Sequence, residues 1–505
     1  MTDTVTSGLT TTAGPRDATR RSRAVNPWLV LVIACLAQFM VVLDASVVNI
    51  ALPSVQRGLH FSAANLQWIV NGYTLIFGGF LLLGGRAADL LGRKRLFVAG
   101  VILFSAASLL NGLAQTSGML IVGRGLQGLG GALVSPAALS IVTTTFTDGT
   151  QRTRALGVWS AIAASGAAVG LLVGGVLTDV ASWRWVFFVN VPIGIATIAL
   201  AMRFVAESRV EVARRSFDLA GAVSVTGGLV ILVYAIVKAQ AYGWGSAKTL
   251  GLGAAAIVLL GAFIAIERRS AAPLMRLSIF RIRALAVADT VLLLVASGMF
   301  GMFFFASLYV QEILGYSPLR AGLAFLPVTV GIMIGAGLAQ QLIRRVGVRN
   351  VGAIGVAIAS VGMLVLTQLP VHGSYVGNLL VGLMPMSIGL GLAFVPITLL
   401  GTSGVKEEDS GLASGLFNTA QQVGGSLGLA ILSTLAATQT TSVLHGTSTA
   451  AVFAARVSGY HVAFLAAAIM LAVGVALLTF GLRRRDIREV ELAIETSGAA
   501  LVPAG

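Results

Sequence analysis

Apolar residues run in long blocks along nearly the whole chain, broken only by short polar stretches rich in Arg, Gly and Ser. A helix rises 1.5 Å per residue, so about 20 consecutive apolar residues cross the ~30 Å hydrocarbon layer of a bilayer. Read with that window, the sequence predicts helices near 28–52, 66–85, 96–115, 118–141, 155–178, 185–205, 218–238, 249–267, 284–311, 319–343, 350–368, 374–402, 409–438 and 460–482. No segment shows the ten-residue alternation of an outer-membrane barrel. The expected fold is all-α and integral to the membrane, with fourteen transmembrane helices.

The basic residues give these helices a direction. Cytoplasmic loops carry an excess of Lys and Arg. With the N-terminus inside, most of the 34 Lys and Arg fall in inner segments, and the outer segments keep only Arg57, Arg184, Lys238, Lys248, Arg320 and Arg456. Both termini are therefore expected in the cytoplasm. Residues 1–27 read as a cytoplasmic tail ending in Arg16, Arg20, Arg21 and Arg23, with no cleavable leader pattern. Residues 28–205 form a first six-helix half, 206–283 hold inserted helices 7 and 8, 284–482 form a second half, and 483–505 are a second cytoplasmic tail. Parallel halves of this sort are a transporter signature.

Composition narrows the class. Hydrophobic residues make up 56% of the chain and charged residues 10%, against about 25% charged in soluble domains. The formal net charge of +15 is read as topology signal, not as a nucleic-acid surface. One cysteine, Cys35, and four scattered histidines offer no disulfide framework and no metal-ligand spacing. No metal and no cofactor are expected. Short loops leave no room for an ATPase, so an ion gradient is the expected energy source.

Three motifs carry chemistry. The loop between helices 2 and 3 contains Gly85, Asp89, Gly92, Arg93, Lys94 and Arg95. Its glycines permit a tight reversal, and Asp89 can accept hydrogen bonds from basic groups or cap a helix. This loop resembles the G-x-x-x-D-x-x-G-R-K/R motif of the major facilitator superfamily. Leu43 to Pro53 in helix 1 and Ser182 to Gly194 at helix 6 are similar, more narrowly, to the fourteen-span drug:proton antiporters. That resemblance implies proton-driven export of hydrophobic drugs or antibiotics, cationic ones included, from a bacterial cytoplasmic membrane; a monomer is expected, and the absence of a clustered His/Asp or Ser/His constellation argues against an enzyme. Its partners would be a small hydrophobic substrate, protons and the lipid bilayer.

Asp44 lies well inside helix 1, where a carboxylate costs roughly 2.5–3.5 kcal/mol on insertion scales unless paired or protonated. Either proton carriage or bonding to a neighbouring Ser or Asn accounts for it. Arg124 is the one cation deep in a span, and Arg124, Gln127, Gly128 and Gly131 share a helical face; the resemblance gives this segment a role in proton coupling. Helix 1 runs outward and places Asp44 about 24 Å from Trp28, while helix 4 runs inward and places Arg124 about 9 Å below its outer end. The two charges therefore fall at similar depth, so Arg124 is expected to stabilise the Asp44 carboxylate when close. A separation above about 15 Å would defeat direct coupling. The G-x-G-x-x-G match from Gly123 to Gly128 has no preceding strand and is discarded.

In helix 5, Gly166, Gly170, Gly174 and Gly175 form a small-residue stripe suited to close helix packing. The resemblance implies a gating motif G-P-x-x-G-G here, but Leu171 stands in place of its proline. Asp289, one turn into helix 9, is a second proton-coupling candidate or a carboxylate reaching the interface. Glu312 reads as solvated. Asn49, Gln127, Asn418, Gln421 and Gln422 are candidate lining of a substrate cavity, and interhelical hydrogen bonding explains helix 13 nearly as well. A lipid or glycolipid exporter shares the fold and remains the main alternative, ahead of a nutrient importer or a membrane enzyme.

Overall fold

Helix starts follow ordinary capping chemistry. Pro27 occupies the first turn behind Asn26, whose side chain accepts from the Trp28 N–H, and Thr116, Asp148, Ser246 and Ser448 cap later helices in the same way. The computed structural model describes residues 26–209, 218–270, 273–402, 405, 409–488 and 490–491. Most of both expected tails, together with Arg214, Arg215 and Lys406, lies outside these residues.

The helices are α1 (Pro27–Leu59), α2 (Trp68–Leu91), α3 (Arg93–Gly112), α4 (Ser117–Thr145), α5 (Gly149–Val180), α6 (Trp185–Phe204), α7 (Leu219–Tyr242), α8 (Ala247–Arg269), α9 (Arg283–Ile313), α10 (Pro318–Val346), α11 (Val348–Leu366), α12 (Tyr375–Thr402), α13 (Ser410–Val443) and α14 (Thr449–Gly481). Among the described residues thirteen helices are long and apolar enough to cross a membrane; α13 is not one of them. Ser414, Asn418, Thr419, Gln421, Gln422 and Ser426 dilute its apolar run.

Helices α1–α6 pack into one bundle and α9–α14 into another. Close packing within each bundle relies on glycine. Gly128 of α4 lies against the Tyr73 backbone of α2, and Gly130 against the Phe104 backbone of α3, which draws the three helices together around the middle of α4. The bundles meet where α2 runs beside α13, and α7 lies against both at that seam. The main neighbour of α8 is α7, and Ile257 and Val258 of α8 are largely exposed.

One local arrangement occurs in both bundles. Gly92 turns the chain from α2 into α3 with φ +112°, and Gly347 turns it from α10 into α11 with φ +86°. A glutamate that follows the last helix of its own bundle, Glu207 or Glu491, approaches each glycine closely. A side chain at either glycine would be strained by the backbone and would crowd that carboxylate.

Candidate functional site: a buried ion pair at the centre of the first bundle

Asp44 is fully buried in α1, and Arg124 of α4 reaches it with Nη1 2.6 Å from Oδ2. The other carboxylate oxygen, Oδ1, accepts from Gln127 Nε2 at 2.7 Å and Asn190 Nδ2 at 2.9 Å. Arg124 also donates from Nε to the Ile69 carbonyl at 2.9 Å and from Nη1 to Gln127 Oε1 at 2.7 Å. Its guanidinium carbon sits 4.4 Å from the centre of the Tyr73 ring, a favourable cation–π placement. Asn111 and Ser108 of α3 complete the set by bonding Gln127 Oε1 and Nε2 at 2.8 and 2.7 Å. Five helices thus converge on one carboxylate.

This geometry explains how two charges persist in an apolar bundle. A buried pair is tolerated only when further hydrogen bonds satisfy the remaining donors and acceptors. Here Gln127 donates twice and accepts twice, so its amide is fully used. Gln127 is 0% exposed and belongs to this network. Shared helical face, which the spacing gives, does not say which neighbours cover that face. Asn190 Oδ1 and Asn111 Oδ1 have no partner, so the network keeps acceptor capacity for an added proton or water.

The loop motif is likewise built. Arg93 Nε and Nη2 donate to Asp89 Oδ1 at 3.1 and 2.8 Å. Asp89 therefore pairs with Arg93 and does not cap α3. That task falls to Glu207, whose two oxygens accept from the N–H groups of Lys94 and Arg95 at 3.2 and 3.1 Å. Lys94 Nζ donates to the Met202 carbonyl at 2.8 Å, which fastens the turn to the end of α6. Gly85 packs beside Pro136.

The glycines of α5 face two elements. A Cβ on Gly166 would stand 3.2 Å from Val42 Cγ1, one on Gly170 3.0 Å from the Leu43 carbonyl, and one on Gly174 2.8 Å from the Val47 carbonyl. These three therefore seat α5 on α1 beside Asp44. Gly175 looks elsewhere: a Cβ on it would stand 2.8 Å from the Pro318 carbonyl at the start of α10, and a Cβ on Gly322 2.5 Å from the Leu171 carbonyl. With leucine at 171, α5 runs as an unbroken helix.

Contact between the bundles at this end continues onto α1. Ser307 Oγ donates to the Asn49 carbonyl at 2.8 Å, and Gln311 Nε2 to the Ile50 carbonyl at 3.0 Å. Asn49 itself bonds Ala45 within α1. Just beyond lies a cavity of about 860 Å³ whose lining includes Arg57, Gln311, Glu312 and Arg456. Glu312, expected to be solvated, is paired as well: Arg456 Nη1 stands 2.5 Å from its carboxylate, which is 18% exposed. Toward the opposite ends, Gly149 and Gly157 of α5 and Gly337 of α10 have open space where a Cβ would sit.

In the second bundle, Asp289 is 7% exposed and neither of its carboxylate oxygens has a partner. Asn418 is exposed and bonds Ser414 within α13. Gln421 is half-buried, and Gln422 packs over Gly78 of α2 with its Oε1 buried and unpartnered. Thr74 and Ser426 bond across the same α2–α13 seam. These polar groups do not converge on one point as those around Asp44 do.

With this geometry in place, a model of the Major Facilitator Superfamily matches residues 34–429. The chain belongs to that superfamily. This superfamily member is 41% identical to a puromycin resistance protein of Streptomyces alboniger over 94% of its own length and 95% of the relative's. It is 40% identical to a cephamycin export protein of Amycolatopsis lactamdurans, covering 92% and 95%. Its fold is that of a bacterial homologue of the human lysosomal transporter Spinster, crystallised in an inward-facing and occupied conformation: TM-score 0.65, 15% identity, 91% of this chain and 97% of that one.

Proposed function

We propose that this transporter exports hydrophobic drugs or antibiotics, cationic ones among them, in exchange for protons across a bacterial cytoplasmic membrane. The observation that carries the reading is the buried Asp44–Arg124 pair, set in a chain whose relatives along nearly their whole length are an antibiotic resistance protein and an antibiotic export protein. A protonatable group inside a span marks an ion pathway by default.

In this reading all fourteen helices cross the bilayer, α13 included, because Thr419, Gln422 and Ser426 of its polar face meet α2 and not lipid. Both termini are cytoplasmic. Residues 28–205 and 284–482 are the two halves that rock, and within 206–283 helix α7 braces the α2–α13 seam. The arrangement described is then closed toward the outside, where α1 and α5 touch α9 and α10, and open toward the cytoplasm. Substrate enters from inside between the halves, with Asn418, Gln421, Gln422 and Asn49 among the polar groups it passes.

Protonation of Asp44 releases Arg124 from its counter-charge, and the network must then rearrange, which couples proton uptake to the change of access. Asp289 is the second carboxyl able to carry a proton. Asp89, Arg93 and Lys94 hold the cytoplasmic turn in one of its two arrangements. One proton moving inward contributes about 2.3 kcal/mol per 100 mV and about 1.4 kcal/mol per pH unit. For a neutral substrate the two together sustain a gradient of several hundred-fold without ATP, whereas one-for-one exchange with a monovalent cation is electroneutral and draws on the pH term alone.

Everted vesicles from cells expressing the protein test the reading: lipophilic cations and aromatic antibiotics should accumulate when the membrane is energised and leak out when a protonophore is added. Accumulation that survives the protonophore would refute proton exchange. The outer contact makes a separate prediction. Gly175→Leu is expected to hold the halves apart at α10 with an overpacking cost of about 1–3 kcal/mol. A Ser307→Cys thiol should then label several-fold faster with an impermeant maleimide, while export falls. Unchanged labelling would show that this contact does not control access.

A further inference from the structure

The turn leading into α9 and the chain leaving α14 enclose a second cavity, about 600 Å³ in volume, lined by Arg281, Arg283, Arg483, Arg485 and Asp486. Among the described residues four arginines thus face one carboxylate, and that carboxylate is already engaged, because Asp486 Oδ2 accepts from the Arg483 N–H at 3.0 Å. Arg283 Nε donates to the Gly481 carbonyl at 2.5 Å. This bond joins the first residue of α9 to the last turn of α14 and fixes the guanidinium at the mouth between two spans. The first turn of α9 has no side-chain cap, and Ala284 and Ala286 bring it into the wall of the cavity, so the positive end of that helix adds to the field.

Positive-inside bias accounts for basic residues at these helix ends. It does not account for residues some 200 positions apart converging on one cavity. Guanidinium groups match phosphate oxygens in pairs, so the chemistry selected is an anionic phosphate ester. The cavity opens where two membrane helices end. Phe280, 40% exposed, and Ile282 stand at its edge and suit glycerol and the tops of acyl chains. Basic pockets between spans on the cytoplasmic side hold anionic headgroups in this way.

We propose that this pocket binds the phosphate headgroup of an anionic phospholipid as a fixed ligand, separate from any transported substrate. The proposal does not depend on proton exchange or on the nature of the drug. Full-length protein would be incubated with phosphatidylglycerol, cardiolipin or phosphatidylcholine micelles, and retained lipid counted by native mass spectrometry. Anionic lipid should be retained over phosphatidylcholine by about tenfold. The double variant Arg281→Gln/Arg483→Gln, which leaves the Arg283–Gly481 bond untouched, should lose that preference with its thermal midpoint unchanged. Arg268→Gln/Arg269→Gln, which removes the same charge from the end of α8, should keep it. Equal loss in both double variants would reduce the effect to diffuse surface charge and overturn the proposal. Displacement of the lipid by millimolar inorganic phosphate would overturn the lipid assignment in favour of a soluble anion.

Discussion

Replacing Arg124 with leucine is expected to destabilise the protein by about 3–5 kcal/mol, the usual cost of leaving one partner of a buried pair uncompensated. Asp44 is 0% exposed in this arrangement, and Gln127 and Asn190 supply dipoles but no charge. Gln127 also loses one of its two donors, so the damage spreads to the amide that orients the carboxylate. Adding Asp44→Asn to Arg124→Leu removes the orphaned charge and should recover much of the loss. Thermal unfolding of the purified variants gives the comparison. If the double variant is no more stable than Arg124→Leu alone, the pair is not what holds these helices in register.

Asp44→Asn by itself carries the largest functional effect. An asparagine fills the same space and still accepts from Gln127 or Asn190, but it cannot take up or release a proton. Substrate-driven proton movement in proteoliposomes should fall to the level of protein-free liposomes, while equilibrium binding of substrate persists. Some loss of stability accompanies the change, because Arg124 is then the unpaired charge. Proton movement that continues in Asp44→Asn would pass the carrier role to Asp289, whose buried carboxylate has no partner in the structure.

Much of this fold was legible because a bilayer forces it. Every apolar window corresponds to a helix, most of them to within several residues, although the last begins at Thr449, eleven residues before its expected start; a span must satisfy its backbone internally whatever its side chains are. The pairing of Asp44 with Arg124 was legible for a related reason. Two charges in apolar helices at matching depth have few other partners, and helix rise alone set that depth.

What the sequence left open lies between helices. Helical spacing put Gln127 on the face of Arg124, but only packing shows that Ser108, Asn111 and Asn190 close over it. Asn190 lies within the Ser182 to Gly194 segment, and its one available signal is a polar side chain inside an apolar run. Glu207 was missed because its partners, the N–H groups of Lys94 and Arg95, lie more than 100 residues away in the chain. The position of α7 at the α2–α13 seam was equally hidden, since its composition is that of any apolar span.

The central claim is proton exchange, and it is tested most directly by purified protein in sealed proteoliposomes carrying an internal pH dye, with a lipophilic cation added on one side. The account predicts a pH change of opposite direction to substrate movement, reversible when the substrate gradient is reversed and absent without protein. Substrate movement that leaves the internal pH unchanged under those conditions would contradict it.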